Sequence, residues 1–350
     1  GDGGRADEPA RRAPARACAI DAGGEPIVDP VPPADLRAEV EALGEDRRLS
    51  KMRKLEVYCA RADRIPGVLR EIGRLREVTF RGAGEGTGRP LDLDEFDDHY
   101  WHLFMWNAAT NEVVGSYRMG ATDEAVGDPA RLYTNTLFHF KPRLVERLHP
   151  ALELGRSFVR PEYQRTPAAL MMLWKGIGAF VVRHPRYRRL FGPVSISNDY
   201  DTLSQQLIVA FLEQNELKAA ESKLVRPRNP FRLDRETRAR ASRTPPVRTI
   251  DEVSGLVSDL EPDDKGVPVL LKQYLKLGGK LLSVNVDDDF GSVVDGLILV
   301  DLVETDRRVL DRYMGAAGAA AFLAHHEDGD RADAAGGDAH GRGRARPGDG

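Results

Sequence analysis

Cysteine is nearly absent: Cys18 and Cys59 are the only two among 350 residues. Two thiols can build neither a disulfide framework nor a cysteine-based zinc site, so the expected compartment is reducing. No run of 18 uninterrupted apolar residues occurs, which excludes a spanning helix. A surplus of one charge is missing as well. Fifty-one Lys and Arg against 55 Asp and Glu leave −4, so overall charge does not advertise nucleic acid as a partner. Gly-x-Ser-x-Gly and the phosphate-cradling Gly-x-x-x-x-Gly-Lys loop are both lacking. The first residue is not Met and no charged-then-apolar signal follows it, so a piece of a longer product is expected.

What is present is a globular composition, 41% hydrophobic and 30% charged. The first 35 residues hold 5 Gly, 6 Pro and 8 Ala, and 315–350 hold 9 Gly and 11 Ala. Such ends bury too little apolar surface to offset their ordering entropy, which predicts disordered tails over 1–35 and 316–350. Between them, alternation predicts strands at Leu55–Ala60, Tyr100–Asn107, Val113–Met119, Ala151–Val159, Leu190–Ser197, Lys280–Val286 and Gly296–Leu302. Helical spacing predicts helices at Ile65–Arg76, Ala168–Val182 and Val267–Leu277, and another carrying Leu203, Leu207, Ala210 and Phe211 on one face. Gly82–Arg89 reads as a loop, and 223–248 as a solvated basic insertion. The order predicts a mixed α/β layer fold with one sheet and a folded domain over 55–315.

Chemistry can first be sought in Glu153-Leu154-Gly155-Arg156. A regular strand would put Glu153 and Arg156 on opposite faces. A bulge at Gly155 would bring them together, where a carboxylate and a guanidinium could orient an amine and a carboxylate. A surface ion pair on an edge strand fits the spacing too. Asp92, Asp94, Glu95, Asp97 and Asp98 crowd one stretch without a histidine, so no metal is expected there. Asp287–Asp289 reads as a turn between strands. Arg76 and Phe80 share a face if their helix continues, and Arg118 closes a strand. The run Arg183, Arg186, Arg188, Arg189 is basic, as is the insertion, with nine cations from Lys223 to Arg248 against Asp234 and Glu236. Such patches suit an acidic protein or anionic lipid head groups; no aromatic-interleaved motif accompanies them, so no nucleic-acid partner is expected. His325 and Asp330 match a His-x4-Asp acyltransferase pattern, but in the predicted tail, and read as chance.

Together, Arg76…Phe80, Asp94-x-x-Asp97, Arg118, Glu153-Leu-Gly-Arg156, Phe191–Tyr200 and Leu275 through Asn285–Phe290 to Asp295-Gly-Leu resemble one family. It is the N-acyltransferase branch of the GNAT superfamily. That branch holds the ornithine- and glycine-lipid-forming, hemolysin-like bacterial acyltransferases and, more distantly, the acyl-homoserine-lactone synthases. The resemblance implies a GNAT-like fold with a central mixed, splayed sheet flanked by helices. It implies acyl transfer from acyl carrier protein to an amino acid's α-amine, ornithine first and glycine second, giving a lyso-aminolipid. No permanently bound cofactor is expected, only an acyl-phosphopantetheine thioester as co-substrate. Glu153 would remove the proton, with Arg156 and Arg118 holding the amino-acid carboxylate or ordering the acidic cluster. Arg76, Phe80, Asp94, Asp97, Phe158, Ser197 and Asn198 would line the substrate. Backbone donors from Arg156 to Phe158 would stabilise the oxyanion, and Arg183, Arg186, Arg188 and Arg189 would dock the acidic carrier.

Further expected partners are an anionic membrane surface and a glycerolipid acyltransferase that adds a second chain. The expected location is the cytoplasm, peripheral at the inner face of the membrane. Two departures stand out: Gln164–Leu170 lacks the pyrophosphate-binding glycines, and Gln205 occupies the position of the usual acid tyrosine, with Tyr200 nearby. The rival readings are an acetyl-CoA-dependent N-acetyltransferase and a non-catalytic membrane-peripheral binding module.

Overall fold

In the computed structural model, which describes residues 24–165, 167–235, 237 and 247–340, strands that in the middle of the sheet are buried on both faces assemble one eight-stranded sheet. Its strands are β1 (Arg48–Met52), β2 (Leu55–Arg61), β3 (Trp101–Asn107), β4 (Glu112–Ala121), β6 (Ala151–Val159), β7 (Arg189–Ile196), β9 (Lys280–Asp287) and β10 (Val293–Asp301). They run in the order β1-β2-β3-β4-β6-β7-β10-β9. The short strands β5 (Phe138–Phe140) and β8 (Val225–Pro227) pair separately. Every pair in the large sheet is antiparallel except β6–β7, which is parallel and short: Ala151–Glu153 face Arg189–Phe191 and no further. Beyond that point the two strands diverge. The GNAT-like fold class expected from the sequence is what the chain adopts.

Helices cover both faces. Helices α1 (Pro33–Leu43) and α2 (Pro66–Gly82) lie on one, and Val68, Ile72 and Leu75 of the α2 stripe pack with Tyr58, Phe104, Trp106 and Val113, with Leu69 also buried. Proline at the first turn suits both starts, where the missing N–H costs nothing. After the short α3 (Thr134–Leu137) and α4 (Pro142–Leu148), α5 (Pro167–Arg183) covers the other face, and its Leu173, Trp174 and Ile177 join Leu103, Met105 and Leu154. Then come α6 (Thr202–Phe211), extended by a π turn over Leu212–Glu216, α7 (Ala219–Ser222), α8 (Ile250–Leu260), α9 (Val269–Lys276), α10 (Arg307–Met314) and α11 (Ala316–His340).

Three boundaries differ from those expected. The folded body begins before 55. Glu25 N–H donates to Gly88 O at 2.8 Å and Val31 N–H to Glu71 at 3.1 Å, and prolines end the extended lead into α1. Residues 1–23 of the expected tail lie outside those described. At the other end 316–340 is helical, because alanine is a strong helix former and Ala319 and Phe322 reach the core. His326 Nε2 there donates to Pro185 O at 2.8 Å, so its ring is tied to the fold. The basic insertion is partly structural: Val225–Pro227 is a strand, Val286 N–H donates to Asn229 O, and Phe231 and Leu233 pack on the core. Arg238, Arg240 and Arg243 lie outside the described residues.

Gly192 packs against the β6 backbone just past the last β6–β7 pair. A Cβ built there would stand 1.9 Å from Leu154 O, a backbone atom that cannot swing aside. Gly192→Ala is therefore expected to destabilise the chain by about 1–3 kcal/mol or more, read as a lower denaturant midpoint.

Candidate functional site

Divergence of β6 from β7 opens two cavities that meet. A groove of about 900 Å³ runs between the start of α5 and α9, lined by Leu170, Met171, Trp174, Val269 and Leu270 with Arg165, Lys175, Lys276 and Arg312. On the opposite side lies a smaller cavity of about 150 Å³ lined by Phe80, Glu85, Tyr133, Arg156, Asp287 and Asp295. Tyr117, Ser157 and Leu270 line both. The junction therefore sits at the end of the parallel pairing.

A bulge on β6 creates this junction. Ser116 pairs with Phe158 and Arg118 with Gly155, so Arg156 and Ser157 together face one residue of β4. The expected bulge exists, but one residue later than expected. Gly155 has no positive φ, and a Cβ there would meet nothing within 4 Å; Arg156 carries the left-handed φ of 46°. The extra residue returns the chain to register, so Ser157 opens towards the groove while Arg156 joins Glu153 on the α2 face.

Arg156 is built into a cage. Its guanidinium lies over the Tyr133 ring at 4.9 Å and the Phe290 ring at 4.5 Å, with Asp92 at 3.6 Å and Asp94 at 3.9 Å. Phe80 supports Phe290 edge-on at 5.2 Å. Behind the cage, Arg76 donates to Asp97 Oδ1 at 2.8 Å, and Arg118 donates to Asp97 Oδ2 at 3.2 Å and to Asp94. Asp94 and Asp97 also form a capping box around Glu95–Asp98. Burial alone would push Asp97 up, but the Arg76 and Arg118 guanidiniums hold its carboxyl well below the usual range. Burial and then Arg76 push His102 down to about 4. The acidic stretch is thus the counter-charge of three arginines.

Glu153 lines neither cavity. Its carboxylate accepts from Tyr100 Oη, from Tyr133 N at 3.1 Å and from Thr134 N at 2.5 Å, and it is 1% exposed. The geometry holds the Tyr133 segment, and with it one wall of the Arg156 cage. Arg118 also lies behind that wall, 5.1 Å from the Tyr133 ring. Arg76, Asp94 and Asp97 belong to the same buried network and do not line the cavity.

The remaining expected site residues divide. Phe158 lines the groove. Ser197 and Asn198 bind backbone instead, donating to Ala83 O at 3.0 Å and to Gly291 O, because β7 has ended and its last turn anchors neighbouring loops. Gln205 donates to Ser197 O at 3.1 Å, and Tyr200 to Gly266 O at 2.7 Å, so neither hydroxyl nor amide turns to the junction. The expected carrier-docking arginines sit at the far end of α5, about 25 Å from its start at 1.5 Å per residue. They are engaged within the chain: Arg183 with Asp46 O and Arg48 O, Arg186 with Asp123, and Arg188 and Arg189 with Asp301. Sequence reasoning missed Tyr117, Glu85, Asp287 as a lining residue, and Asp295. Asp295 left a trace, as the lone acid inside the apolar run Val293–Val300; Glu85, in a glycine-rich loop, left none.

Residues 75–175 match the GNAT acetyltransferase domain family. The chain is 35% identical over 307 residues to a protein named glycine N(alpha)-acyltransferase from Bacteroides thetaiotaomicron, covering 81% of this chain and 89% of that one. It is 32% identical to one of the same name from Phocaeicola vulgatus, over 81% of this chain and 92% of that one. It is 29% identical to an L-ornithine N(alpha)-acyltransferase from Rhodobacter capsulatus, over 70% and 90%. A CoA-dependent acyl-homoserine lactone synthase solved with SAM and isopentyl-CoA overlaps at a TM-score of 0.38 and 12% identity, covering 73% of this chain and 86% of that one. That overlap is too loose to carry an argument.

Two outcomes follow from the buried charges. Arg118→Met should cost about 3–5 kcal/mol in denaturation, because Asp94 and Asp97 keep a buried charge with a partner removed. Asp97 titrates below its unfolded value, so its contribution is present above about pH 4 and is lost as pH falls; in Arg118→Met the unfolding curve should lose part of that acid sensitivity, with Arg76 retaining the rest. Gly155→Ala, with open space and an ordinary φ, should leave the denaturation midpoint within about 1 kcal/mol of wild type.

Proposed function

The chain belongs to the family of glycine and L-ornithine N(alpha)-acyltransferases on a GNAT domain, and from that premise we propose that it joins a long fatty acyl chain to an amino acid's α-amine. It is an acyltransferase enzyme. The observation that carries the finer reading is the meeting of two unlike cavities at Tyr117 and Ser157. In this reading the large apolar groove takes the acyl thioester, the small polar cavity takes the amino acid, and the two reactants meet at the splay. Arg156 pairs with the amino-acid carboxylate. Peptide N–H groups at the Arg156–Ser157 bulge, freed from the ladder, and the Tyr117 hydroxyl donate to the developing oxyanion. Burial pushes the Tyr117 phenol far up, so it keeps its proton to donate. Glu153 and Arg118 position these groups through Tyr133 and the buried aspartates.

Glycine is the first choice of acceptor, reversing the order expected from sequence. The relatives named for glycine match at higher identity and over more of the chain than those named for ornithine. Ornithine stays as a second reading because three carboxylates line the small cavity, and its side-chain ammonium would give them a partner.

Acyl carrier protein is the proposed donor. The groove presents Arg165, Lys175, Lys276 and Arg312 with no acidic residue among its lining, suited to an acidic protein at its mouth. The start of α5 offers a pyrophosphate little: Pro167 has no N–H and the usual glycines are missing. The product would be a lyso-aminolipid, handed to a glycerolipid acyltransferase at a membrane surface. Among the described residues no helix is long and apolar enough to cross a membrane.

The full chain should be assayed with acyl-carrier-protein, long-chain acyl-CoA and acetyl-CoA thioesters against glycine and ornithine, with products read by mass spectrometry. Long-chain N-acylglycine from the carrier-bound donor is the expected product; acetyl transfer alone would overturn the reading. Lys276→Glu with Arg312→Glu should raise the KM for the carrier-bound donor by about tenfold, more at low salt, as expected where steering charges are reversed. Arg186→Ala with Arg188→Ala should leave that KM unchanged.

A further inference from the structure

The smaller cavity holds charge that those roles leave unused. Asp295, in the middle of β10 and 3% exposed, accepts a hydrogen bond from Ser195 Oγ on β7 at 2.7 Å. Asp287, at the end of β9, and Glu85, from the loop after α2, line the same space. Facing them are Arg156 from β6, Tyr133 from the segment before α3, Tyr117 from β4 and Tyr274 from α9. Asp199, just past β7, adds negative charge near Glu85. One guanidinium therefore answers three carboxylates, and it already faces Asp92 and Asp94. Among the described residues none of the three carboxylates forms an ion pair.

Two buried donors look across at this negative wall. Tyr117 Oη, in a side chain 1% exposed, lies among Ser157, Tyr274 and Trp174, and Arg156 Nε, in one 10% exposed, has Asp92 at 3.6 Å but no hydrogen bond. A negative wall opposite a phenol and a guanidinium complements a zwitterion: an ammonium on one side, a carboxylate on the other. The cavity also meets the acyl groove at Tyr117 and Ser157, so an amine held against the wall lies beside the thioester's path.

We propose that Asp295, held by Ser195 and within electrostatic reach of Glu85, binds the acceptor's α-ammonium and takes its proton. This rests on the acyltransferase reading above. The ammonium passes one proton to the Asp295 carboxylate and becomes a neutral amine. Its lone pair attacks the thioester carbonyl carbon, and the carbon–nitrogen bond forms. As the carbon–sulfur bond breaks, the second amine proton goes to the leaving sulfur, giving amide and thiol. Asp295 then releases its proton to water through the Glu85 side of the cavity.

The electrostatics fit that duty. Burial, with help from Asp287, pushes Asp295 up to about 7 against the opposing Ser195 hydrogen bond and the Arg156 charge. Burial and then the charges of Asp295 and Asp199 push Glu85 up to about 7. Burial also raises Asp287, with Arg156 opposing it. A base poised near neutrality accepts a proton and gives it back. Only its ionised form serves, so the rate should rise with pH through about 7 and level above.

The test uses the full chain with a long-chain acyl thioester and glycine or ornithine across pH 5.5–9.5, with circular dichroism and melting to confirm folding. Asp295→Asn should keep the KM for the thioester, lower kcat at pH 7 by at least about tenfold, and lose the limb centred near 7. Its rate should recover at alkaline pH, where the free amine needs no base. Glu85→Gln, the second variant if Asp295→Asn does not fold, should move the limb to lower pH, because a negative neighbour of Asp295 is gone. Unchanged rates and limbs in both variants would overturn the proposal. So would a limb that survives in Asp295→Asn and vanishes in Glu153→Gln. If wild type transfers no acyl group at all, the acyltransferase reading fails separately, and calorimetry with glycine and ornithine decides this one. Binding at least tenfold weaker in Asp295→Asn supports it, and equal binding refutes it.

Discussion

Three guanidiniums, Arg76, Arg118 and Arg156, lie under one face of a single sheet, and carboxylates at Asp92, Asp94 and Asp97 make that tolerable. A charge taken out of water costs several kcal/mol unless it is paired and hydrogen-bonded. The segment 92–98 must therefore fold against the sheet, and its capping box turns both Asp94 and Asp97 inward. Because the arginines come from α2, β4 and β6, this one electrostatic requirement ties helix, strands and loop into a single body. The site inherits its rigidity from that body. Arg156 cannot swing away without leaving Asp92 as a buried carboxylate with no cation beside it.

The bulge at Arg156 uses this rigidity. Left-handed backbone at a non-glycine residue carries strain of order 1–3 kcal/mol and persists where its surroundings over-determine it. Two aromatic rings and two aspartates supply that over-determination. In return the strand delivers consecutive residues to different cavities, Arg156 to the small polar one and Ser157 to the junction with the groove. Regular alternation would instead have put Arg156 on the face opposite Glu153, away from its aromatic and acidic cage.

Much of this was legible beforehand. The α2 stripe, the paired strands β3 and β4, and the Glu153–Arg156 spacing were written in periodicities of 3.6 and 2. The need for a bulge followed from spacing, but not its position: Gly155 was the permissive residue, and tertiary contacts placed the strain on Arg156 instead. The alanine-rich end is helical against the expectation from composition, which counts apolar bulk, whereas a helix former needs only Ala319 and Phe322 to dock. The basic run at 183–189 departs from expectation for another reason. Charge density in sequence does not reveal that Asp46, Asp123 and Asp301 regions, far away in the chain, already engage it. Glu85 and Tyr117 become site residues only when β6 and β7 part, a long-range event with no local pattern.

The same contrast separates holding from reacting. Glu153 sits in the most recognisable motif, yet its carboxylate accepts three hydrogen bonds and lines neither of the two cavities that meet at Ser157. Those bonds, two of them from the backbone of Tyr133 and Thr134, suit it to fixing the Tyr133 segment. Asp295 has one hydrogen bond, two acidic neighbours in its cavity and only the shared Arg156 guanidinium facing all three, so an arriving ammonium relieves it. Proton transfer requires a group whose charge is left incompletely compensated by the fold. In this chain the compensated acids support the wall, and the uncompensated ones face the space where a substrate fits.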